Sequence, residues 1–500
     1  MNESNESNEF HETLDTLRAR CAASSGFGVG RDWRELGLAL RAAALPGPHY
    51  LPLHAEALDA LLQASANDGL LGIEDFAATA QSAFIVKDWA CVEAFTDVLL
   101  QNRHTAGSML ADALVWRAAV HQSRDDFDEA ERLLGKAVAV LPDNPIALHK
   151  LALCIKEQAR FDEAEALLRR ALKLDPDSAA AQFDLSELEI RAERFADGWP
   201  RYEARVAFDE QPGNAQAVLS KIAPHWQGEP LTGKTLVVYG EQGHGDCLWA
   251  VRFLPLLAER ARREGARVIF GHDGPLRHLF ERMLPAGITL ETGLDTQPDF
   301  HCGLMSLPLR LGIVDSAGWG RAYLTADAAR TAVWRERVAQ ARGRKRAVGI
   351  VWNGNPAHVR DIRRSVPVDQ LAPLLTVPGL VWFALSPGRG ETVAHWQARG
   401  IDIVDPTVQF DAGFDDVAAL MANLDLVVTI DSGPAHLAGA LGVPTCLLID
   451  HVSAWFWGNR QRVTPWYDAV ELFRQPSIGA WAPALSAVRE RLEALVSRGT

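Results

Sequence analysis

Up to about residue 220, apolar side chains recur three or four positions apart, as on one face of a helix; beyond Thr235 short β-rich runs take over. Within the helical part the pattern repeats. Phe127-Asp128-Glu129-Ala130 returns as Phe161-Asp162-Glu163-Ala164 and, degenerately, as Phe195-Ala196-Asp197-Gly198, two steps of 34 residues. Pro142 and Pro176 keep the same step. Asp143-Asn144-Pro145 and Asp175-Pro176-Asp177 break the helices, because proline lacks an amide donor and disfavours helical geometry before it. Upstream, residues 55–64 and 87–100 read as amphipathic helices of irregular spacing.

After the last helical pattern, Pro224-His225-Trp226-Gln227-Gly228-Glu229-Pro230-Leu231 interrupts periodicity and marks a boundary. Strand signals follow at 235–239, 267–270, 347–352, 380–385, 426–430 and 445–449, alternating with helices. That alternation predicts parallel, doubly wound sheets. A charged helical segment at 326–346 separates two groups of strands, so two Rossmann-like lobes facing one cleft are expected, with ligands at the loops after the strands.

Composition narrows the class. The chain has 500 residues, 48% of them hydrophobic and 23% charged, which is ordinary for globular domains and is enough for more than one core. A net charge of −14 argues against a sequence-independent grip on nucleic acid. The six cysteines are scattered singly, without a Cys-x-x-Cys pair, so no zinc site or disulfide framework is indicated and a reducing cytoplasm is the expected setting. No apolar run reaches the length of a membrane span. The acidic, polar start reads as a tail and lacks the pattern of a signal peptide.

The 34-residue period resembles the tetratricopeptide repeat, a helix-turn-helix unit whose stacking builds a solenoid. The expected order is a tail over 1–29, divergent repeats or a cap over 30–111, tetratricopeptide repeats over 112–220, a first lobe over 231–325 and a second over 345–495.

Three loops carry candidate chemistry. Asp431-Ser432-Gly433-Pro434-Ala435-His436 follows a strand and opens a helix: Asp431 or Ser432 can cap it, Gly433 allows close backbone approach and Pro434 suits the first turn. Such a start favours a phosphate, with His436 one turn in and projecting towards it; a plain strand-to-helix turn is the alternative. Gly240-Glu241-Gln242-Gly243-His244-Gly245-Asp246 lacks Gly-x-Gly-x-x-Gly spacing, so a dinucleotide fingerprint is unsupported and the acid can be a simple cap. In the third loop Asn353, Asn355, Arg360, Arg363 and Arg364 form a basic, polar cluster; it is either a solvated face or a phosphate fork.

The segment Thr429-Ile430-Asp431-Ser432-Gly433-Pro434-Ala435-His436-Leu437-Ala438 closely resembles the donor motif of heptosyltransferase-like glycosyltransferases, whose domain is of the two-lobed GT-B type. Thr464-Pro465-Trp466-Tyr467 and Leu472-Phe473-Arg474-Gln475 extend the similarity, which spans about residues 190–495 and matches bacterial tetratricopeptide-glycosyltransferase fusions. The resemblance implies that Asp431, Ser432, Gly433, Pro434 and His436 hold the diphosphate of a nucleotide sugar, with Arg364, Asn353 and Asn355. It makes Asp246 the general base, with His244 beside it, and leaves Glu241, Gln242, Gly243, Gly245, Arg363 and Arg360 as secondary phosphate or acceptor candidates.

Two departures stand out: Val359 where many fusion relatives carry lysine, and Asp431-Ser432-Gly433 where theirs often read Asp-Thr-Ala. No Asp-x-Asp motif lies in either lobe, so neither metal nor cofactor is expected, and leaving-group charge falls to helix amides and Arg364. The expected function is inverting, metal-independent sugar transfer to an acceptor recruited by the repeats. Protein, glycan and lipopolysaccharide acceptors all stay open, as does a protein partner on the repeats. A non-catalytic scaffold, or an epimerase or hydrolase on the same architecture, are the alternatives.

Overall fold

The computed structural model describes residues 14–24, 29–44, 50–68, 72–208, 214–272, 274–293, 295, 297–358 and 360–497. The chain divides into two compact units, Met1–Ala181 and Gln182–Thr500.

The described residues of the first unit form helices joined by turns. After a helix at 14–23 come Val29–Ala43, Leu51–Asp68, Ile73–Val86, Trp89–Gln101, Gly107–Ser123, Phe127–Val140, Pro145–Lys156 and Phe161–Leu174. The tail expected over 1–29 is therefore corrected at 14–23. Leu14, Leu17 and Cys21 share one helical face and join Leu36, Leu40, Ala57 and Ala60 in a small core. Residues 1–13 and 25–28 lie outside the described residues.

The 34-residue step has a backbone counterpart. Asp125, Ala159 and Glu193 each take a left-handed conformation (φ 59°, 59° and 61°) between the paired helices. The next residue then returns its amide to a carbonyl five positions back: Asp126 to His121, Arg160 to Ile155, Arg194 to Glu189. Lys87 (φ 62°) and Asp88, bonded to Ala83, make the same turn between Ile73–Val86 and Trp89–Gln101. The divergent region thus contains a repeat-like hairpin, offset by 38 residues from the next turn at Asp125.

Packing explains the degenerate third repeat. Ala130 and Ala164 are fully buried where helices meet. At the equivalent Gly198 a methyl group would lie 2.6 Å from Ile190 Cγ1, so only glycine admits that approach.

The second unit holds two sheets. The first orders β3 (Ile288–Glu291), β2 (Arg267–Gly271), β1 (Thr235–Tyr239) and β4 (Phe300–Gly303), all parallel. The second orders β10 (Val463–Thr464), β11 (Tyr467–Arg474), β9 (Thr445–Ile449), β8 (Leu426–Ile430), β5 (Arg346–Ile350), β6 (Leu380–Ala384) and β7 (Ile403–Val404). Only β10 runs antiparallel, against β11. In each sheet the chain leaves its first strand in one direction and later returns to that strand's other side. The two switch points, β1/β4 and β5/β8, are where parallel sheets open crevices. All three candidate loops follow strands at those points.

The boundary at 224–231 is corrected by packing. Ile190, Phe195, Trp199 and Tyr202, all within the span expected for the repeats, belong to the same core as both sheets. Trp199 meets Trp249 (centroids 6.0 Å) and Trp455 (5.6 Å), and Trp249 meets Trp466 at 5.0 Å. Among the described residues no helix is long and apolar enough to cross a membrane.

Candidate functional site

The loop after β1 and the loop after β8 meet face to face. Each opens a helix, His244–Ala250 and Gly433–Leu441. At Gly433 a methyl group would lie 3.8 Å from His244 Cβ, and at Gly245 one would lie 2.8 Å from His436 Cδ2. Glycine at both positions lets two helix starts, one per lobe, come together. His244 is exposed there, its ring 5.3 Å from that of Phe414.

The Asp431 loop opens its helix without the side-chain cap expected of Asp431 or Ser432. Ser432 is extended at the N-cap with no side-chain cap, its hydroxyl donating to the Ile430 carbonyl at 3.1 Å, and Pro434 sits in the first turn. Asp431 to Pro434 are partly exposed. His436 does not stand open at the helix start: aromatic rings enclose it, and its Cδ2–Nε2 edge turns towards Gly245. Its ring is 3% exposed, lies 4.8 Å from Trp457 and 4.9 Å from Phe456, and has Nδ1 2.9 Å from the Tyr467 hydroxyl. Burial, then the charge of Arg252, lowers its pKa to about 3, so it is neutral and no cationic phosphate ligand.

Asp246 stands at the seam. One oxygen accepts the Gly243 amide at 2.9 Å, closing the first turn. Although part of the side chain reaches the surface, protein surrounds the carboxylate; desolvation, with repulsion from Asp431 and Glu241, raises its pKa to about 6 against two opposing backbone hydrogen bonds. That suits a general base. Gln242 is exposed, holds a left-handed φ of 59° and accepts from the Tyr202 hydroxyl at 3.2 Å, so the loop carries backbone strain next to the acid.

Glu241, expected as a secondary phosphate or acceptor residue, is instead engaged in a buried ion pair. It receives Arg205 at both oxygens (2.7 and 3.0 Å) and the Met305 amide at 2.9 Å, and it is 8% exposed. A methyl group at Gly303 would overlap it. This buried, bidentate pair ties the segment after Tyr202 to the first sheet.

The third loop divides its basic residues. Arg364 packs over Gly354, donates Nε to Asp361 (3.1 Å) and Nη1 to the Asp431 carbonyl (3.1 Å), and so stands at the Asp431 loop. Arg360 instead binds Asp450 (2.8 Å) and the Val452 carbonyl at the end of β9. Arg363 supplies its carbonyl to Gln475 at 3.4 Å. Asn355 is exposed and spends its side chain on the Ala357 amide at 3.0 Å. Asn353 donates to the Gly354 carbonyl at 3.2 Å while its buried Oδ1 has no partner. The Ser386 hydroxyl, past the end of adjacent β6, is also buried and unpartnered. β6, which Ser386 follows, pairs with β5, the strand that leads into the third loop. Sequence reasoning missed Ser386 and Phe414, which carry no motif and gain meaning only from strand order. Val359 lies outside the described residues.

Two families match the chain: tetratricopeptide repeat over residues 121–185 and glycosyltransferase family 9 (heptosyltransferase) over 370–475. The second match covers the Asp431 loop and stops short of the lobe that holds Asp246. Protein FlbA of Caulobacter vibrioides is 27% identical over 339 residues, 62% of this chain and 54% of that protein, so the chain spans about half the length of this curated relative. The glycosyl transferase family 9 protein of Veillonella parvula is 14% identical, with a TM-score of 0.40 over 54% of this chain and 99% of that one. ADP-heptose LPS heptosyltransferase II of E. coli is 14% identical, with a TM-score of 0.38 over 53% and 99%. The chain thus carries one segment that matches the tetratricopeptide repeat and another that matches glycosyltransferase family 9.

Proposed function

We propose that the chain transfers a sugar, with inversion and without a metal ion, from a nucleotide-diphosphate donor to an acceptor recruited by its repeats. The observation that carries this is the meeting of the Asp246 loop with the start of the helix Gly433–Leu441. A base at the acceptor side and a helix start at the donor side are the two halves an inverting displacement needs. The acceptor oxygen attacks the anomeric carbon and gives its proton to Asp246. The bond from that carbon to the diphosphate oxygen breaks, and the diphosphate leaves with the electron pair. Helix amides and Arg364 meet the growing negative charge in place of a cation.

The repeats support acceptor recruitment because stacked helices offer an extended concave surface, suited to a protein or to a peptide carrying the acceptor hydroxyl. A thermal-shift screen of nucleotide sugars identifies the donor, since a ligand bound only by the native state raises its melting point. Transfer to candidate acceptors is then followed with and without EDTA, and the product's anomeric configuration is read by NMR. Loss of turnover in EDTA removes the metal-independent mechanism, and retention of configuration removes the inverting one. A failure of every nucleotide sugar to stabilise or react removes the reading altogether.

A further inference from the structure

His436 is buried and neutral, yet its ring edge reaches the seam between the two loops. The Cδ2–Nε2 side faces Gly245, where a methyl group would lie 2.8 Å from Cδ2 and 3.3 Å from Nε2. A neutral imidazole carries one proton, and the partner of one nitrogen decides which of the two holds it.

The partner of Nδ1 is the Tyr467 hydroxyl, 2.9 Å away on a side chain 1% exposed. What surrounds that hydroxyl sets the direction of the bond. Arg252, 4.6 Å from the centroids of both Tyr467 and Tyr323, has only protons to give. Its guanidinium is anchored by the carbonyls of Trp249 (2.8 Å), Trp466 (2.9 Å) and Trp319 (3.0 Å). Tyr323 donates its proton to the Leu248 carbonyl at 2.6 Å and accepts from Arg252 Nη2 at 3.0 Å. Tyr467 also faces Arg252 and Tyr323, and burial keeps its hydroxyl protonated. A Tyr467 proton directed to Nδ1 is compatible with all of these partners, with Arg252 a donor beside the Tyr467 oxygen and the Tyr323 proton committed to Leu248.

We propose that Tyr467 is a positioning residue that holds His436 as the Nε2–H tautomer, so that the ring presents one neutral N–H donor to the departing phosphate; this rests on the transfer reaction proposed for the same site. A neutral donor suits a dry seam. It hydrogen-bonds developing charge without the cost of a buried cation, and its proton stays in place across the whole range in which Asp246 works.

The test uses the full chain labelled with 15N-histidine, the His436 signals being assigned by their loss in His436→Gln. The expected wild-type pattern is an unprotonated, hydrogen-bonded Nδ1 and a protonated Nε2, unchanged from pH 5 to 8. The reverse pattern, or titration within that range, overturns the assignment. Tyr467→Phe is expected to lower kcat by about 10- to 100-fold with little change in donor KM, because the lost orientation matters most when the phosphate departs. Unchanged kcat in a folded Tyr467→Phe protein overturns the positioning role. Should no nucleotide sugar react with the wild-type chain, the proposed function fails, while the nitrogen shifts still decide the tautomer.

Discussion

The space left by the missing side chain of Gly245 is filled by the imidazole of His436: a methyl group there would stand 2.8 Å from Cδ2. The contact joins the first turn of a helix in one lobe to the first turn of a helix in the other. His436 cannot retreat, because Trp457, Phe456 and Tyr467 surround it.

Gly245→Ala therefore forces the two loops apart. Overpacking of this kind costs about 1–3 kcal/mol. Urea denaturation is expected to show that loss, and turnover is expected to fall more than about tenfold because Asp246 moves with the loop. Wild-type stability and rate together would show that the loops tolerate separation and that their contact does not set the geometry.

Asp246 gives the reaction its pH dependence. With a folded pKa of about 6, the rate is expected to rise with pH through that value and then level off. Stability runs the other way. The folded pKa lies above the ordinary 3.8, so between about pH 4 and 6 the folded state binds more protons than the unfolded one, and stability falls as pH rises. Asp246→Asn is accordingly expected to abolish turnover and to stabilise the fold at pH 7.5 by about 1–3 kcal/mol, with the gain disappearing below pH 4. A variant equally active, or less stable at pH 7.5 than at pH 4 relative to wild type, contradicts the assignment.

Local chemistry made much of this architecture legible. The helix start at Gly433–Leu441 was readable because glycine and proline have narrow backbone roles, and the repeats because one turn geometry recurs at Asp125, Ala159 and Glu193. The hairpin turn at Lys87 escaped because its offset is 38 residues and no Phe-Asp-Glu-Ala segment accompanies it. Short strands such as β3 and β4 gave no run long enough to stand out. The role of Glu241 was hidden for a different reason. Its partner Arg205 lies 36 positions away, beyond what loop chemistry shows. Helix position alone could not show the aromatic walls that Phe456, Trp457 and Tyr467 build round His436. Ser386 comes beside the third loop only because β6 pairs with β5.

Glu241 and Arg205 separate structure from chemistry within one loop. Removing one charge from a buried pair leaves the other uncompensated, at a cost of about 3–5 kcal/mol. Glu241→Gln is expected to lose that much stability in urea while its folded fraction retains a pH–rate profile governed by a group near pH 6. If Glu241→Gln is instead as stable as wild type and inactive, Glu241 takes the place of Asp246 as the base.

Trp199 tests where the second compact unit begins. By sequence it lies within the span expected for the repeats, but its ring is 2% exposed and packs on Phe195 (centroids 5.6 Å), Trp249 and Trp455. Trp249 in turn touches Phe253, Phe456 and Trp466, so the tryptophan supports elements of both lobes. Trp199→Ala leaves a large cavity there and is expected to cost about 3–5 kcal/mol. The loss should appear in the transition of the glycosyltransferase domain, followed by the stabilisation that a bound nucleotide sugar confers. Leu133→Ala, in the first unit's own core, provides the comparison: it is expected to weaken the repeats and leave the nucleotide-linked transition in place. If Trp199→Ala disturbs only the repeats, the boundary returns to the Pro224–Leu231 segment that the sequence marks.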